Sequence, residues 1–324
     1  MCPDIDTFTT IREPGADEST RPGSGNSVED RSFGAHDVPV IEHARGLRTP
    51  VLQSLAELER RVVAVDGGRL KLEWPDLRGR RGDLVEDLLW WEGDRLLGFL
   101  GLYDYGVPTV ELTGMVDPSV RRRGIATALL AAALPLCRER GFDTALLVVP
   151  REGAAAHALA SSLGAALARS EHALELLGEP AGSPTPPELD LRPLVPDDIP
   201  AVDVLFAMGF GQSLPAPQDE AGAERLRLSR ENTLVIHVGG AVVGAMRLIH
   251  DGEGAGVYGL VVRPDHRGRG LGREALRRAC LRARAEGASR VQLEVAVEND
   301  TALGLYTSLG FTRVTTEDYY ALPF

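Results

Sequence analysis

Towards its C-terminal end the chain alternates. Val291, Leu293, Val295 and Val297 are separated by Gln292, Glu294 and Ala296, a period of two that predicts a strand with one buried face. Ahead of it, Leu271, Ala275, Leu276, Ala279, Cys280 and Ala283 recur at helical spacing, and Gly287 ends that helix. Residues 234–238 and 241–249 form two apolar runs joined by Gly239-Gly240, the pattern of a hairpin with a tight turn. A strand is expected at 257–262, a helix at 301–309, and closing strands near 311–314 and 319–322. Upstream, 189–193 reads as a short strand. A helix follows at 198–208, with Asp198 as its N-cap and Pro200 tolerated in the first turn. The order predicts an α/β domain of the α+β kind, built around a central mixed sheet.

The same order recurs upstream from Leu96, in register. Val116-Asp117-Pro118-Ser119-Val120-Arg121-Arg122-Arg123-Gly124-Ile125-Ala126 lies 146 residues before Val262-Arg263-Pro264-Asp265-His266-Arg267-Gly268-Arg269-Gly270-Leu271-Gly272. The offset also relates Gly98 to Gly244 and Leu163-Gly164 to Leu309-Gly310. A period of this length is a duplicated domain rather than a solenoid. The expected organisation is a mobile leader over 1–35, a first domain over 36–178, a proline-rich linker over 179–188 and a second domain over 189–324. The first domain's N-terminal part differs in length and reads as mainly helical.

Composition narrows the functional classes. The 324 residues are 44% hydrophobic and 25% charged, as in soluble globular proteins. A net charge of −12 argues against nucleic acid as a partner, since phosphate neutralisation needs basic surface. Three cysteines without a CxxC pattern suit a reduced cytoplasm, and seven histidines without metal spacing predict no metal site. No apolar run reaches the roughly 20 residues of a membrane span. Lys71 is the only lysine, so arginine supplies nearly all positive charge.

The glycine-rich run carries the chemistry. A strand leading into residues 267–272 and then a helix turns successive backbone N–H groups towards one point, a site for phosphate oxygens. Arg267, Arg269 and Arg273 add charge. Standing alone, the string also describes a tight turn with a solvated basic face. Three further features go with it: the Val-x-Pro that ends the preceding strand, Asn299 beyond the next strand, and Leu305-Tyr306-Thr307-Ser308-Leu309-Gly310-Phe311 at the end of the following helix. Together they resemble the GNAT superfamily of N-acetyltransferases, over essentially all of 189–324 and more weakly over 70–178. The two-domain layout is similar to the family's tandem members, among them the mycothiol synthases.

The resemblance implies acetyl-CoA as cosubstrate, held between two splayed parallel strands. The backbone of Leu260, Val261 and Val262 would pair with pantetheine. The turn of Arg267, Gly268, Arg269, Gly270, Leu271, Gly272 and Arg273 would hold the pyrophosphate, and Asn299 the pantetheine arm. An amine of pKa about 10.4 arrives protonated, so a base must free it, and the departing thiolate is helped by an acid. Tyr306 stands where the family places the tyrosine that protonates coenzyme A. Glu294, on the polar face of its strand, is the favoured base, with a spacing to Tyr306 similar to that in ribosomal-protein alanine acetyltransferases. His250, Asp251 and Glu253 are rivals acting through water.

In the first copy Tyr306, Glu294 and Asn299 become Ala160, Val148 and Gly153, while Arg121 and Gly124 keep the turn. Pro135 falls inside the helix after that turn and should kink it. Domain 1 therefore reads as structural or regulatory, walling the acceptor groove of a catalytic domain 2. The leading function is acetyl transfer to a small-molecule or peptide amine, by a monomer (an internal pseudo-dimer) or a homodimer. The alternatives are a non-catalytic acyl-CoA-binding module and a mycothiol-synthase-like enzyme. Against the latter, Gly256 stands near the position where mycothiol synthases carry a glutamate.

Overall fold

Burial of Val291, Leu293 and Val295 fixes one face of β11 (Arg290–Ala296) on the core and turns Gln292 and Glu294 to the other. The computed structural model describes residues 39–322 apart from 81, 106–107, 183–187, 211–225, 228 and 253. The expected leader and the middle of the expected linker lie outside the described residues. His36–Phe324 form one compact unit.

The first half comprises β1 (Val40–Ala44), α1 (Thr49–Asp66), α2 (Trp74–Gly79), β2 (Asp87–Glu92), β3 (Arg95–Asp104), β4 (Thr109–Val116), α3 (Ile125–Glu139), β5 (Thr144–Pro150), α4 (Ala154–Ser162) and β6 (Ala166–Leu176). The second comprises β7 (Asp190–Pro193), α5 (Ile199–Phe210), β8 (Thr233–Val238), β9 (Ala241–His250), β10 (Gly254–Val262), α6 (Leu271–Ala285), β11, α7 (Asp300–Ser308) and β12 (Thr312–Leu322). Gly239 and Gly240 both adopt positive φ in the β8–β9 turn, as the hairpin requires. Among the described residues no helix is long and apolar enough to cross a membrane.

All twelve strands join in one sheet, in the order β1-β2-β3-β4-β5-β12-β6-β11-β10-β9-β8-β7. The last strand of each half is exchanged. β12 lies between β5 and β6, and β6 lies between β12 and β11. Glu317 pairs with Glu171, two residues related by the offset of 146, so a pseudo-twofold passes through that pair. It maps the pair Glu294–Ala173 onto Val148–Tyr319.

Two local expectations need correction. The two closing strands are a single strand, because residues 315–318, a polar run that reads as a break, are buried between β5 and β6. Two of them are satisfied there by cross-strand partners, Asp318 by Arg151 and Ser170 at 2.6 Å each and Thr316 by His172 at 2.9 Å, while the buried Glu317 carboxyl has no hydrogen-bond partner among the described residues. Asp198 is drawn back onto Arg192 at 2.7 Å and accepts the Val195 N–H, so it closes a single 3₁₀ turn ahead of α5 instead of capping the helix. Pro135 lies inside α3, which runs on from Ile125 to Glu139 as one helix, so the proline does not end it.

Because β6 and β12 interleave, the halves should not fold apart. A chain of residues 189–324 alone would leave β11 and β12 separated by a missing strand, with unpaired edges. It should be insoluble or self-associate, and co-expression with residues 1–178 should recover a soluble complex by size-exclusion chromatography. A monomeric, cooperatively folded 189–324 fragment would contradict this.

Candidate active site

β10 and β11 run parallel and stay hydrogen-bonded only from Gly254–Arg290 to Gly256–Gln292. Beyond that they separate. The cause lies in β10, whose ladder to β9 shifts register between Tyr258 and Val261 around Gly259 at φ +64°. The edge of Leu260, Val261 and Val262 that faces β11 carries no ladder. In the first half the ladder between β4 and β5 continues to Leu112–Leu147, the counterparts of Tyr258 and Leu293. The fork of the second half thus opens earlier, by two residues on β10 and one on β11.

The glycine turn follows the open edge. Gly268 and Gly270 adopt φ of +73° and +76°, and a Cβ at either would meet no atom within 4 Å. Glycine is needed there for backbone shape, leaving the space above the turn open. Leu271 is buried in the core, and Gly272 starts α6 against Val262. Arg267 is steadied by its Nε bond to the Val262 carbonyl at 2.9 Å, and Arg269 by the Asp265 carbonyl at 2.9 Å. No described carboxylate pairs with either guanidinium. Arg273 turns instead to Ser308 and the Ala181 carbonyl at 3.1 and 3.2 Å. The first copy differs on this point. Arg121 is held bidentately by Asp66 at 2.7 and 2.6 Å, and Arg123 by Glu92 at 2.8 Å. Arg122 takes the positive φ that Gly268 takes in the second copy.

Tyr306 lies on α7, half-buried against the helical-face core, its ring 6.2 Å from that of Phe311. Burial pushes its phenol up, so it is a protonated donor at neutral pH. No described group accepts its hydroxyl. The Asn299 carbonyl oxygen caps α7 by accepting the Ala302 N–H at 3.1 Å, leaving only its amide N–H groups for another partner.

On the opposite face of the sheet a cavity of about 360 Å³ opens beside the fork, lined by Tyr258, Gln292 and Glu294 of the second half and by Arg69, Glu73 and Trp74 of the first. Glu294 does not stand alone. The buried ammonium of Lys71 donates to it at 2.9 Å and to the Tyr319 hydroxyl at 2.7 Å, and pairs with Glu111 at 3.3 Å. Burial opposes the charge on Glu294, but Lys71, Arg69 and Arg169 outweigh it and hold the carboxyl below its ordinary range. Lys71 is held well above the usual amine range, its own burial opposed by Glu294 and Glu111. Among the rivals, His250 is engaged with Glu286 at 2.8 Å, Asp251 lines the cavity, and Glu253 lies outside the described residues. Cys280 is fully buried, which pushes its thiol up to about 12 and makes it inert.

The sequence profile of the acetyltransferase (GNAT) family matches this chain twice, over residues 52–165 and 201–311. The protein is a GNAT acetyltransferase. It is 33% identical over 256 residues to a mycothiol acetyltransferase of Thermobispora bispora, covering 72% of this chain and 82% of that one. A mycothiol acetyltransferase of Actinosynnema mirum is also 33% identical, over 64% of this chain and 73% of the relative. In fold it is similar to a GCN5-related N-acetyltransferase of Sphaerobacter thermophilus, with TM-score 0.72 at 19% identity over 90% of this chain and 98% of that one. A tandem GNAT protein of the clavulanic acid biosynthesis pathway gives TM-score 0.61 at 20% identity, over 88% and 98%.

GNAT acetyltransferases use acetyl-CoA as cosubstrate, and the second half suits it: an unladdered strand edge, an open glycine turn and two cations without carboxylate partners. Arg69, Lys71 and Glu73 lie outside the motifs that the sequence analysis draws on. The chain's single lysine is the signal that was there to be followed.

Lys71 should be the most costly side chain to remove. Lys71→Met would leave Glu111 to Arg169 alone at 2.6 Å and Glu294 to the more distant Arg69 at 3.9 Å, and would remove the buried donor to the Tyr319 hydroxyl; breaking such a buried pair costs about 3–5 kcal/mol. Urea unfolding should register a loss of that size; a loss below about 1 kcal/mol, the worth of a surface ion pair, would contradict it.

Proposed function

We propose that this enzyme transfers the acetyl group of acetyl-CoA to the amine of a small polar acceptor, and that the reaction takes place at the fork of the second half. The observation that carries this is the asymmetry between the two turns: Arg121 and Arg123 are neutralised by Asp66 and Glu92, whereas Arg267 and Arg269 have no described carboxylate partner. In this reading the turn at 267–273 takes the pyrophosphate, and the edge at Leu260, Val261 and Val262 takes the pantetheine. The Asn299 amide lies beside its path. The acceptor enters from the cavity on the other face. Its carboxylates, Glu59, Glu73, Glu175, Asp251 and Glu294, favour a cationic amine. The amine nitrogen attacks the thioester carbon, the C–N bond forms and the C–S bond breaks. The carboxylate cluster anchored by Glu294 receives the ammonium proton, and Tyr306 supplies one to the leaving sulfur. The first half has Val148, Gly153 and Ala160 at the corresponding positions and acts as the wall of the acceptor cavity.

A second reading, a mycothiol-synthase-like enzyme, is favoured by the names of relatives 33% identical to this chain. Against it stands Gly256, where a Cβ would come within 2.5 Å of the Tyr258 ring, so the aromatic ring fills the space a glutamate would need. Release of coenzyme A thiol with spermidine, glucosamine and cysteinyl glucosaminyl inositol as acceptors separates the two. Turnover confined to the last establishes the second reading, and no turnover with any amine removes both.

Gly270→Val should abolish acetyl-CoA binding in calorimetry, by placing a branched side chain where the phosphate must sit in a left-handed backbone. Unchanged affinity would put the cosubstrate elsewhere.

Tyr306→Phe should lower kcat about 10²–10⁴-fold with little change in acetyl-CoA affinity, since only a proton donor is lost. A rate within about threefold of the parent would make water the donor.

A further inference from the structure

A carboxylate that accepts a proton well must not already be committed to a cation. Glu294 is committed, to Lys71 at 2.9 Å with Arg69 at 3.9 Å. Glu59 accepts the Trp74 indole N–H at 3.1 Å, and Glu175 accepts the Gln292 amide at 3.2 Å and faces Arg290 at 3.6 Å. The Glu73 carboxylate lines the same cavity and, among the described residues, accepts no hydrogen bond and forms no ion pair; Asp251, the remaining carboxylate of the lining, also has a buried oxygen without a hydrogen-bond partner and is the rival that the test must separate. The backbone of Glu73 is fixed from both sides. Lys71 and Leu72 are buried immediately before it, Leu72 in the core under α1, and its carbonyl accepts the Leu77 N–H of α2 at 3.0 Å.

We propose that Glu73, delivered by the first half, is the general base that takes the proton from the acceptor's ammonium, with Glu294 locked on Lys71 as the fixed negative charge beside it. This rests on the fork of the second half being the site of acetyl transfer. The charges around Glu73 support it. Arg69 and Lys71 of its own loop favour the carboxylate; Glu294 of β11 and Asp76 of α2 oppose it, while Glu317 of β12, its carboxyl raised to about 8 by burial and then Glu294, is uncharged at neutral pH. Tyr258 of β10 and Tyr105 at the end of β3 remain neutral, their phenols pushed up by burial. Burial and then Glu294 outweigh the cations and raise the Glu73 carboxyl to about 7, where a base works best at neutral pH. In the step itself the ammonium N–H bond breaks and its proton passes to a Glu73 carboxylate oxygen. The freed lone pair forms the C–N bond as the C–S bond breaks, and the sulfur takes its proton from the acid on the other face. The first half then contributes a catalytic residue, and the site is incomplete without it.

The test uses the full chain with acetyl-CoA and whichever of spermidine, glucosamine or cysteinyl glucosaminyl inositol the parent turns over fastest. Thiol release is followed from about pH 6 to 9 for the parent, Glu73→Gln, Glu73→Asp and Asp251→Asn, with acetyl-CoA affinity measured by calorimetry. Glu73→Gln should lose about 10²–10⁴-fold in kcat at neutral pH, keep its acetyl-CoA affinity, and recover as rising pH supplies free amine. The parent's kcat should fall as pH drops through about 7, because the protonated carboxyl cannot accept; Glu73→Gln should lack that inflection. Glu73→Asp should retain part of the rate, and added formate should restore part of it to Glu73→Ala. A Glu73→Gln rate within about threefold of the parent, or the large loss falling on Asp251→Asn instead, overturns the assignment while leaving acetyl transfer at the fork intact. A parent that binds no acetyl-CoA, or a Gly270→Val variant that turns over normally, overturns the underlying reading and the assignment with it.

Discussion

One buried ammonium ties the two halves of this enzyme together. The chain from Gly67 to Glu73 crosses from α1 to α2 and carries Lys71 into the junction, where it meets Glu111 of the first half and Glu294 and Tyr319 of the second. An unpaired charge in such a place would cost several kcal/mol, and three oxygen partners offset that cost only if the strands bearing them keep their register. The exchange of β6 and β12 supplies that register. Tyr319 sits on the strand inserted against β5, Glu294 on the strand that receives β6, and the pseudo-twofold through Glu171 and Glu317 sets both. Packing of the junction and geometry of the acceptor cavity are therefore one problem. The side chain that holds the halves together also holds Glu294 in its ionised form.

Duplication followed by divergence explains the rest. Both copies keep the turn with its left-handed glycine at 124 and 270, because the backbone shape requires it. What differs is what surrounds it. In the first half Asp66, at the end of α1, closes on Arg121, and the strand fork is laddered further, by two residues on β4 and one on β5. In the second half no described carboxylate closes on Arg267 or Arg269, the turn stays cationic, and the bulge at Gly259 opens the fork. The first half has two of its turn arginines neutralised and lines one side of the cavity beside the fork.

Much of this was legible in the sequence. Period-two and helical spacing located β8 to β11, α6 and α7, and the glycine run marked the turn. The repeat offset named in advance the pairs that the pseudo-twofold later relates. The failures have a common cause. Residues 315–318 read as a break because polar residues normally face water; here they face one another between exchanged strands. Asp198 read as a cap because Arg192 could not be known to lie beside it. Glu73 and Lys71 were passed over because their loop carries no motif, and contacts across some 223 residues, as between Lys71 and Glu294, leave no local pattern.

The central claim is that only one of two homologous turns still receives acetyl-CoA. Titration calorimetry of the intact protein with acetyl-CoA measures this without knowledge of the acceptor. The account predicts one molecule bound per chain, with salt-sensitive affinity from the exposed arginines 267 and 269. Two equivalent sites, or a single site that persists when Arg267 and Arg269 are both replaced by alanine, would contradict it.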